Sequence, residues 1–250
     1  MLTLVLRGFV QRKLRVLLTG IAIALGVALM AGTYVLTDTI NQSFAGIFQT
    51  ANRGHDTVIT PTQSLGSRTR SQTSPITQEM LTRVRATPGV AEAEGSIFAP
   101  ATLLSAQGKR LTIGGAPAFV ASLSPPRFES FSVVLGRFPN SSSEVSIDEA
   151  TAERAKLKVG QQMIVAGSAL AKRYTIVGIT KFGGGQSFGG AGAALLIPAE
   201  AQRVVGESGR YDQISAAAKA GVTPGELRDR IRAVLPRTVE VRTGTEQAKK

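Results

Sequence analysis

The chain has 250 residues, 43% apolar and 18% charged, with 29 Lys and Arg against 17 Asp and Glu, a net charge of +12 and no cysteine. Such a composition belongs to a folded protein rather than a disordered one, and the missing cysteines exclude disulfides, thiolate-bound zinc, iron–sulfur clusters and a thiol nucleophile. The positive surplus invites a nucleic-acid reading, but Arg7, Arg12, Lys13 and Arg15 crowd the N-terminus and no basic stripe is interleaved with aromatics, so no nucleic-acid partner is expected.

In residues 1–15, Leu2, Leu4, Val5, Leu6, Phe9 and Val10 mix with Arg7, Arg12 and Lys13. This pattern predicts an amphipathic elbow at the cytoplasmic face of a bilayer. Residues 16–37, VLLTGIAIALGVALMAGTYVLT, carry no charge. At about 1.5 Å per residue such a run crosses a hydrocarbon core of about 30 Å, and it is longer than the apolar core of a cleaved signal peptide. Arg7, Arg12, Lys13 and Arg15 precede it and the next base is Arg53, so these four residues set the N-terminus in the cytoplasm and the rest of the chain outside the cell membrane. Gly20, Ala24, Ala28 and Gly32 recur at every fourth position. The spacing predicts a helix face for close packing against another helix, against the alternative of chance in an Ala- and Gly-rich run.

Residues 38–53 continue with Ile40, Phe44, Ile47 and Phe48 at helical spacing, which predicts a helical stalk. Residues 56–60 read as a strand closed by Pro61, and 62–75 as a polar loop. Thr77 is placed to cap a helix that buries Met80, Leu81 and Val84, stops at Pro88 and Gly89, and is followed by an extended segment from Val90. Residues 101–105 and 110–113 flank Gln107 and Gly108 as a hairpin, and Pro and Ser mark loop up to Gly136. Strands are expected at 144–148, 162–166, 174–180 and 193–197, with helices at 149–156 and 199–205. Thr223, Pro224 and Glu226 form a capping box leading into Leu227, Ile231, Val234 and Leu235, then Pro236 and the alternating Val239, Glu240 and Val241. Two helix, proline-stop and strand runs therefore bracket a strand-rich middle, as a duplicated lobe with an inserted second lobe would.

No Gly-x-x-x-x-Gly-Lys-Ser/Thr loop is present, so the chain holds no P-loop for nucleotide. Phe182 to Gln186 only echoes a glycine-rich signature loop and reads as part of a flexible connection through Gly192. His55, the single histidine, supports neither a catalytic triad nor a multi-histidine metal site and reads as a solvated turn residue. The acidic pairs Glu92 with Glu94 and Asp148 with Glu149 read as solvated surface, and Arg137 is expected to pair with Glu144 across a turn. No catalytic, cofactor-binding or metal-ligating residue is assigned.

The run RKLRVLLTGIAIALGVALMAG, then LGRFPNSSSEVSIDEATAERAKLKVGQQMIV, YTIVGITKF, LIPAEAQRVVG and VEVRTG, in this order, resembles the MacB/FtsX-like ABC transporter permeases over nearly the whole chain. The resemblance implies an α+β fold: one transmembrane helix with a stalk, then a two-lobed extracytoplasmic core domain over 54–245. One lobe of strand–helix repeats is expected at about 54–120 plus 210–245 and a mainly β lobe at about 121–209. It also implies that 246–250 approach a second membrane helix and that the chain is the N-terminal part of a longer permease. The implied partners are a cytoplasmic ABC ATPase, further permease helices or a second permease copy, and the lipid bilayer. The chain itself is then a non-enzymatic subunit that passes motion to its outer domain for export or for lipid or lipoprotein handling. The alternative is a singly anchored extracytoplasmic binding or adaptor protein.

Overall fold

The structure, a computed structural model, describes residues 15, 17–34, 54–62, 75–111, 118–169, 171–183 and 191–247. The chain divides into two compact units, Met1–Gly46 and Ile47–Lys250. In the first, helix α1 spans Leu17–Tyr34 and is long and apolar enough to cross a membrane. Its two threonines return their hydroxyls to the helix, Thr19 Oγ1 donating to Arg15 O at 2.9 Å and Thr33 Oγ1 to Leu29 O at 2.8 Å. A hydroxyl bonded in this way is less costly to remove from water. The expected elbow and stalk lie outside the described residues, apart from Arg15.

In the second unit, the first strand–helix–strand run is β1 (Thr57–Pro61), β2 (Ile76–Thr77), α2 (Gln78–Ala86) and β3 (Val90–Ser96). Thr77 Oγ1 accepts from Met80 N at the helix start, and Leu81 and Val84 are buried. Strands β4 (Phe98–Ser105), β5 (Ala118–Ser122), β6 (Phe131–Gly136) and β7 (Glu144–Asp148) lead to α3 (Glu149–Ala155). After them come β8 (Gln162–Ala166), β9 (Lys172–Phe182), β10 (Gly192–Leu196), α4 (Pro198–Val205) and β11 (Arg210–Tyr211). The chain then runs through β12 (Gln213–Ala218), α5 (Pro224–Val234), β13 (Val239–Thr243) and α6 (Gly244–Gln247). The capping box of α5 forms reciprocally: Glu226 N donates to Thr223 Oγ1 at 3.3 Å and Thr223 N donates to Glu226 Oε2 at 3.0 Å. Leu227 and Ile231 are buried as expected, but Val234, at the end of the helix, faces solvent.

The first sheet has the order β13-β1-β12-β3, with every neighbouring pair antiparallel. β1 and β3 are therefore parallel to one another with β12 between them, and β12 and β13 are parallel with β1 between them. These are two interleaved split β-α-β units, one built around α2 and one around α5. Their shared core contains Ile59, Leu81, Val84, Ile214, Leu227, Ile231 and Val241. The repeat anticipated from the two proline-stopped helices is this interleaving.

The second sheet has the order β6-β9-β7-β10-β5-β4-β8, with a further β8–β9 pairing. On β9, the stretch 175–180 pairs with β7, while 172–175 pairs with β8 and 178–182 with β6. Strands β8 and β6 thus share one edge of β9, and the β8 contact closes a six-stranded barrel to which β6 is appended. Leu103, Val145, Ile147, Met163, Val165, Ile176 and Leu196 fill it, with Ala152 of α3 and Ala201, Val204 and Val205 of α4 against them. On the appended strand, Val133, Val134 and Leu135 are exposed, and a register shift against β9 falls between Val133 and Leu135.

Two expectations change here. Strand β4 and the start of β5, within the residues 54–120 assigned from sequence to the first lobe, belong to the barrel sheet. The crossover is Ser96-Ile97-Phe98, directly after Gly95, where Ile97 N donates to Ser122 Oγ and Phe98 N to Asp212 Oδ2. The stretch read as loop up to Gly136 also contains β5 and β6.

Two side-chain clusters hold the barrel's attachments. Glu200 on α4 is 3% exposed and accepts from Tyr174 Oη at 2.5 Å, Lys172 Nζ at 3.0 Å and Arg203 Nε at 2.9 Å. Asp148, read from sequence as surface, is buried instead: Oδ2 caps α3 through Thr151 N at 2.9 Å, and Oδ1 accepts from Ala193 N at 2.6 Å. A buried carboxylate needs such donors, and the turn from β7 into α3 supplies one of them. The expected Arg137–Glu144 pair is bidentate, at 2.8 and 2.5 Å. Its guanidinium holds the Glu144 carboxyl down at about 2.

Candidate coupling site

Helix α1 carries Gly20, Ala24, Ala28 and Gly32, and a Cβ added at Gly20 or Gly32 would meet nothing within 4 Å. Their side chains occupy successive turns of one face, so another backbone can approach closely there. Arg15 is described and exposed, whereas Arg7, Arg12 and Lys13 lie outside the described residues.

The second unit begins its described course at Gly54, and three residues there touch both lobes. Gly54 has φ +85°, and a Cβ would come within 2.5 Å of Arg127 O in the barrel lobe, so this turn requires glycine. Asp56 N donates to Ala216 O at 3.1 Å, and Asp56 O accepts from Gly244 N at 3.1 Å. Asp56 Oδ2 accepts from Ala218 N at 2.8 Å and from Arg127 Nη2 at 3.2 Å. One residue thus joins β12, the start of α6 and the loop between β5 and β6.

His55 sits beside it, and here the structure corrects the reading of a solvated turn residue. Its Nδ1 is 3.1 Å from Ser215 Oγ, and its ring meets Phe128 edge to face at 5.1 Å. Phe128 is buried at 4% exposure. The imidazole Nε2 is enclosed without a partner in hydrogen-bonding geometry. Burial pushes the His55 pKa down, against smaller upward pulls from the Phe128 backbone and the Asp56 carboxylate.

Glu129 fixes the loop that presents Arg127 and Phe128, accepting from Ser124 N at 3.0 Å through Oε2 and from Phe131 N at 2.9 Å through Oε1. Burial raises its pKa, opposed by those backbone donors. The chain also leaves this unit close to where it enters, because Thr57 of β1 is in register with Thr243 of β13 and α6 follows at once. Both ends of the domain therefore meet at one corner, and the barrel lobe touches that corner through Arg127 and Phe128. No signal in the sequence marked His55, Asp56, Arg127 and Phe128 as a group, since they come together from segments about seventy residues apart.

Elsewhere, Glu94 is paired with Arg85 at 2.8 Å, and among the described residues no group of His, Asp and Glu could hold a metal ion. Residues 184–190 of the expected glycine-rich connection lie outside the described residues.

The sequence profile of the MacB-like periplasmic core domain matches residues 16–234. The chain belongs to this family. A search of curated proteins finds no significant match. Among solved structures, this MacB-like chain is similar to the periplasmic region of MacB from Actinobacillus actinomycetemcomitans, at TM-score 0.57 and 10% identity, over 79% of this chain and 94% of that one. It is also similar to the extracellular domain of the noncanonic ABC-type transporter YknZ from Gram-positive bacteria, at TM-score 0.49 and 13% identity, over 74% of this chain and 99% of that one. At such identity the MacB likeness speaks for the fold: the two-lobed α+β architecture is that of a MacB-like periplasmic domain, joined here to one apolar helix.

Proposed function

We propose that this chain is the N-terminal part of a MacB/FtsX-type permease whose helices are driven by a separate cytoplasmic ABC ATPase. The carrying observation is a MacB-like core domain whose family match begins at residue 16, so that it takes in helix α1. In this reading residues 1–15 are the cytoplasmic elbow, 16–37 the span and 38–53 the stalk. The core domain from residue 54 lies outside the cell, and 246–250 lead toward a second span. Gly20, Ala24, Ala28 and Gly32 pack against another permease helix or a second copy. The domain contributes no catalytic group of its own. Its lobes handle a substrate or partner at the outer membrane surface, as export or as lipid or lipoprotein handling.

The test is co-purification of the intact gene product in mild detergent. Recovery of an ABC ATPase whose turnover depends on this subunit is the expected result; a preparation that retains no ATPase would overturn the permease reading in favour of a singly anchored adaptor. Orientation is tested separately with a cysteine introduced at Ser43, in a chain that has none of its own. Labelling by a membrane-impermeant maleimide from outside intact cells is expected.

A further inference from the structure

The two lobes are joined covalently at the β3–β4 crossover and at the return through β11, and they meet again at the corner where the chain enters. That third contact is built differently from the first two. Ion pairing there rests on Arg127 and Asp56, which are partly solvated with side chains 43% and 29% exposed. Apolar contact rests on Phe128, which is buried against the ring of His55. His55 is therefore a titratable group enclosed between a strand of one lobe and a loop of the other.

Its surroundings favour the neutral ring. Ser215 Oγ is at Nδ1 and is itself the acceptor of Gln213 Nε2 at 3.0 Å, so its hydroxyl hydrogen is free to point at the imidazole. With Nδ1 accepting, the neutral ring carries its hydrogen on the enclosed Nε2, so an added proton must enter at Nδ1 and displace the Ser215 hydroxyl hydrogen. The charged groups nearby are already engaged. Asp56, on the same segment, accepts from Ala218 N and Arg127; Glu129, on the facing loop, accepts from two backbone N–H groups. Glu94, in register with Ser215 on β3, is held by Arg85. Burial disfavours an imidazolium more than the Phe128 backbone and the Asp56 carboxylate favour it, and the cationic Arg127 approaches from the other lobe.

We infer that His55 and Asp56, clasped by Arg127 and Phe128, form a proton-released latch between the two lobes, closed by neutral His55 and opened by its protonation. Only the use of this latch in transport rests on the permease reading; the latch itself does not. The direction follows from linkage. A histidine whose pKa is lower in the latched form than in the open form stabilises the latch fully above the ordinary value near 6.5. That contribution is lost as the pH falls below it, because the open form then binds more protons. Acidification would free the loop between β5 and β6 from the entry corner while leaving both sheets intact.

Because His55 is the only histidine of the chain, its ring resonances in the untagged protein need no assignment by mutation. The experiment is an NMR pH titration of the imidazole in the full chain in lipid nanodiscs, combined with hydrogen exchange at the amides of Ala218 and Phe128. A ring that titrates below the ordinary value, and returns toward it in Phe128→Ala, supports the latch. So does a loss of protection at Ala218 and Phe128, corrected for intrinsic exchange, between about pH 7.5 and about pH 5, with unchanged protection at Ile147 and Ile214. In His55→Gln that loss is expected to vanish. An ordinary titration indifferent to Phe128→Ala, or protection that stays constant with pH in the unmodified chain, overturns the proposal. Neither readout requires an ATPase, so a failure here is distinct from a failure of the permease reading.

Discussion

Glu200→Gln tests how α4 is fastened to the barrel. The carboxylate is 3% exposed. Burial alone would raise its pKa, but hydrogen bonds from Arg203, Tyr174 and Lys172 outweigh that and hold it at about 2, against an ordinary 4.5. At about 1.4 kcal/mol per unit this corresponds to roughly 3 kcal/mol in favour of the ionised folded form. Lys172 and Arg203 are 33% and 52% exposed and regain water when the partner is lost, so we expect Glu200→Gln to cost about 2 kcal/mol at neutral pH. Glutamine still offers an oxygen to Tyr174. Glu200→Ala leaves that buried hydroxyl without an acceptor and should cost about 1–2 kcal/mol more. The sign with pH follows from the depressed value: the unfolded chain binds the extra proton first, so the stabilisation is complete above 4.5 and declines as pH falls toward 2. Urea unfolding in mild detergent, followed by far-ultraviolet circular dichroism at several pH values, measures both effects. A glutamine variant within about 0.5 kcal/mol of the unmodified chain, with the same acid slope, would refute the reasoning, since most surface substitutions fall in that range.

Other positions give outcomes of different size. In Gly178→Ala the new methyl would collide with the backbone of Arg137 at the β6–β9 corner, and a loss of about 2–4 kcal/mol by the same urea assay is expected because backbone cannot rotate aside. Thr223→Ala removes one half of the capping box and should cost about 1 kcal/mol, with faster hydrogen exchange confined to the first turn of α5. The double change Ala24→Leu with Ala28→Leu is expected to abolish association through α1, read by cross-linking or energy transfer between labelled copies and partner helices. Urea unfolding of the two-lobed domain should be unaffected by it; unchanged association would mean that the small residues are compositional.

The elements that could be read from sequence carry their own boundaries. Thr77, Pro88, Thr223 and Pro236 mark helix ends chemically, and the alternation in Val239, Glu240 and Val241 marks a strand with one buried face. β12 carried no such mark. Its sequence QISAAA holds one strong strand former, yet it lies between β1 and β3 with Ile214, Ser215, Ala216 and Ala217 buried, so tertiary position overrides propensity. β6 was hidden for the opposite reason. Its Val133, Val134 and Leu135 are exposed on an appended edge and, with a register shift against β9, lack the alternation of a half-buried strand. Helix α1 was legible because an uncharged apolar run is a local signal. The entry corner was not, because His55 and Asp56 meet Arg127, Phe128, Ser215 and Ala218 only after the barrel has been inserted between β3 and β12.

That insertion decides what a force arriving at Gly54 would do. β1 is an inner strand, bonded along its length to β13 on one side and over residues 57–59 to β12 on the other. A pull along its axis loads those backbone bonds together, each worth about 1 kcal/mol net, and all must shear before the strand can slip. The contact from the same corner to the barrel rests on a half-solvated ion pair worth about 0–1 kcal/mol and on one buried phenyl ring worth about 2–3 kcal/mol. The weaker joint yields first. A displacement applied at Gly54 would therefore carry the β13-β1-β12-β3 sheet as one body and change its angle to the barrel about the crossovers at Ile97 and Asp212. The latch sets how large a displacement is needed, so Arg127→Gln should lower that threshold without altering the fold of either lobe.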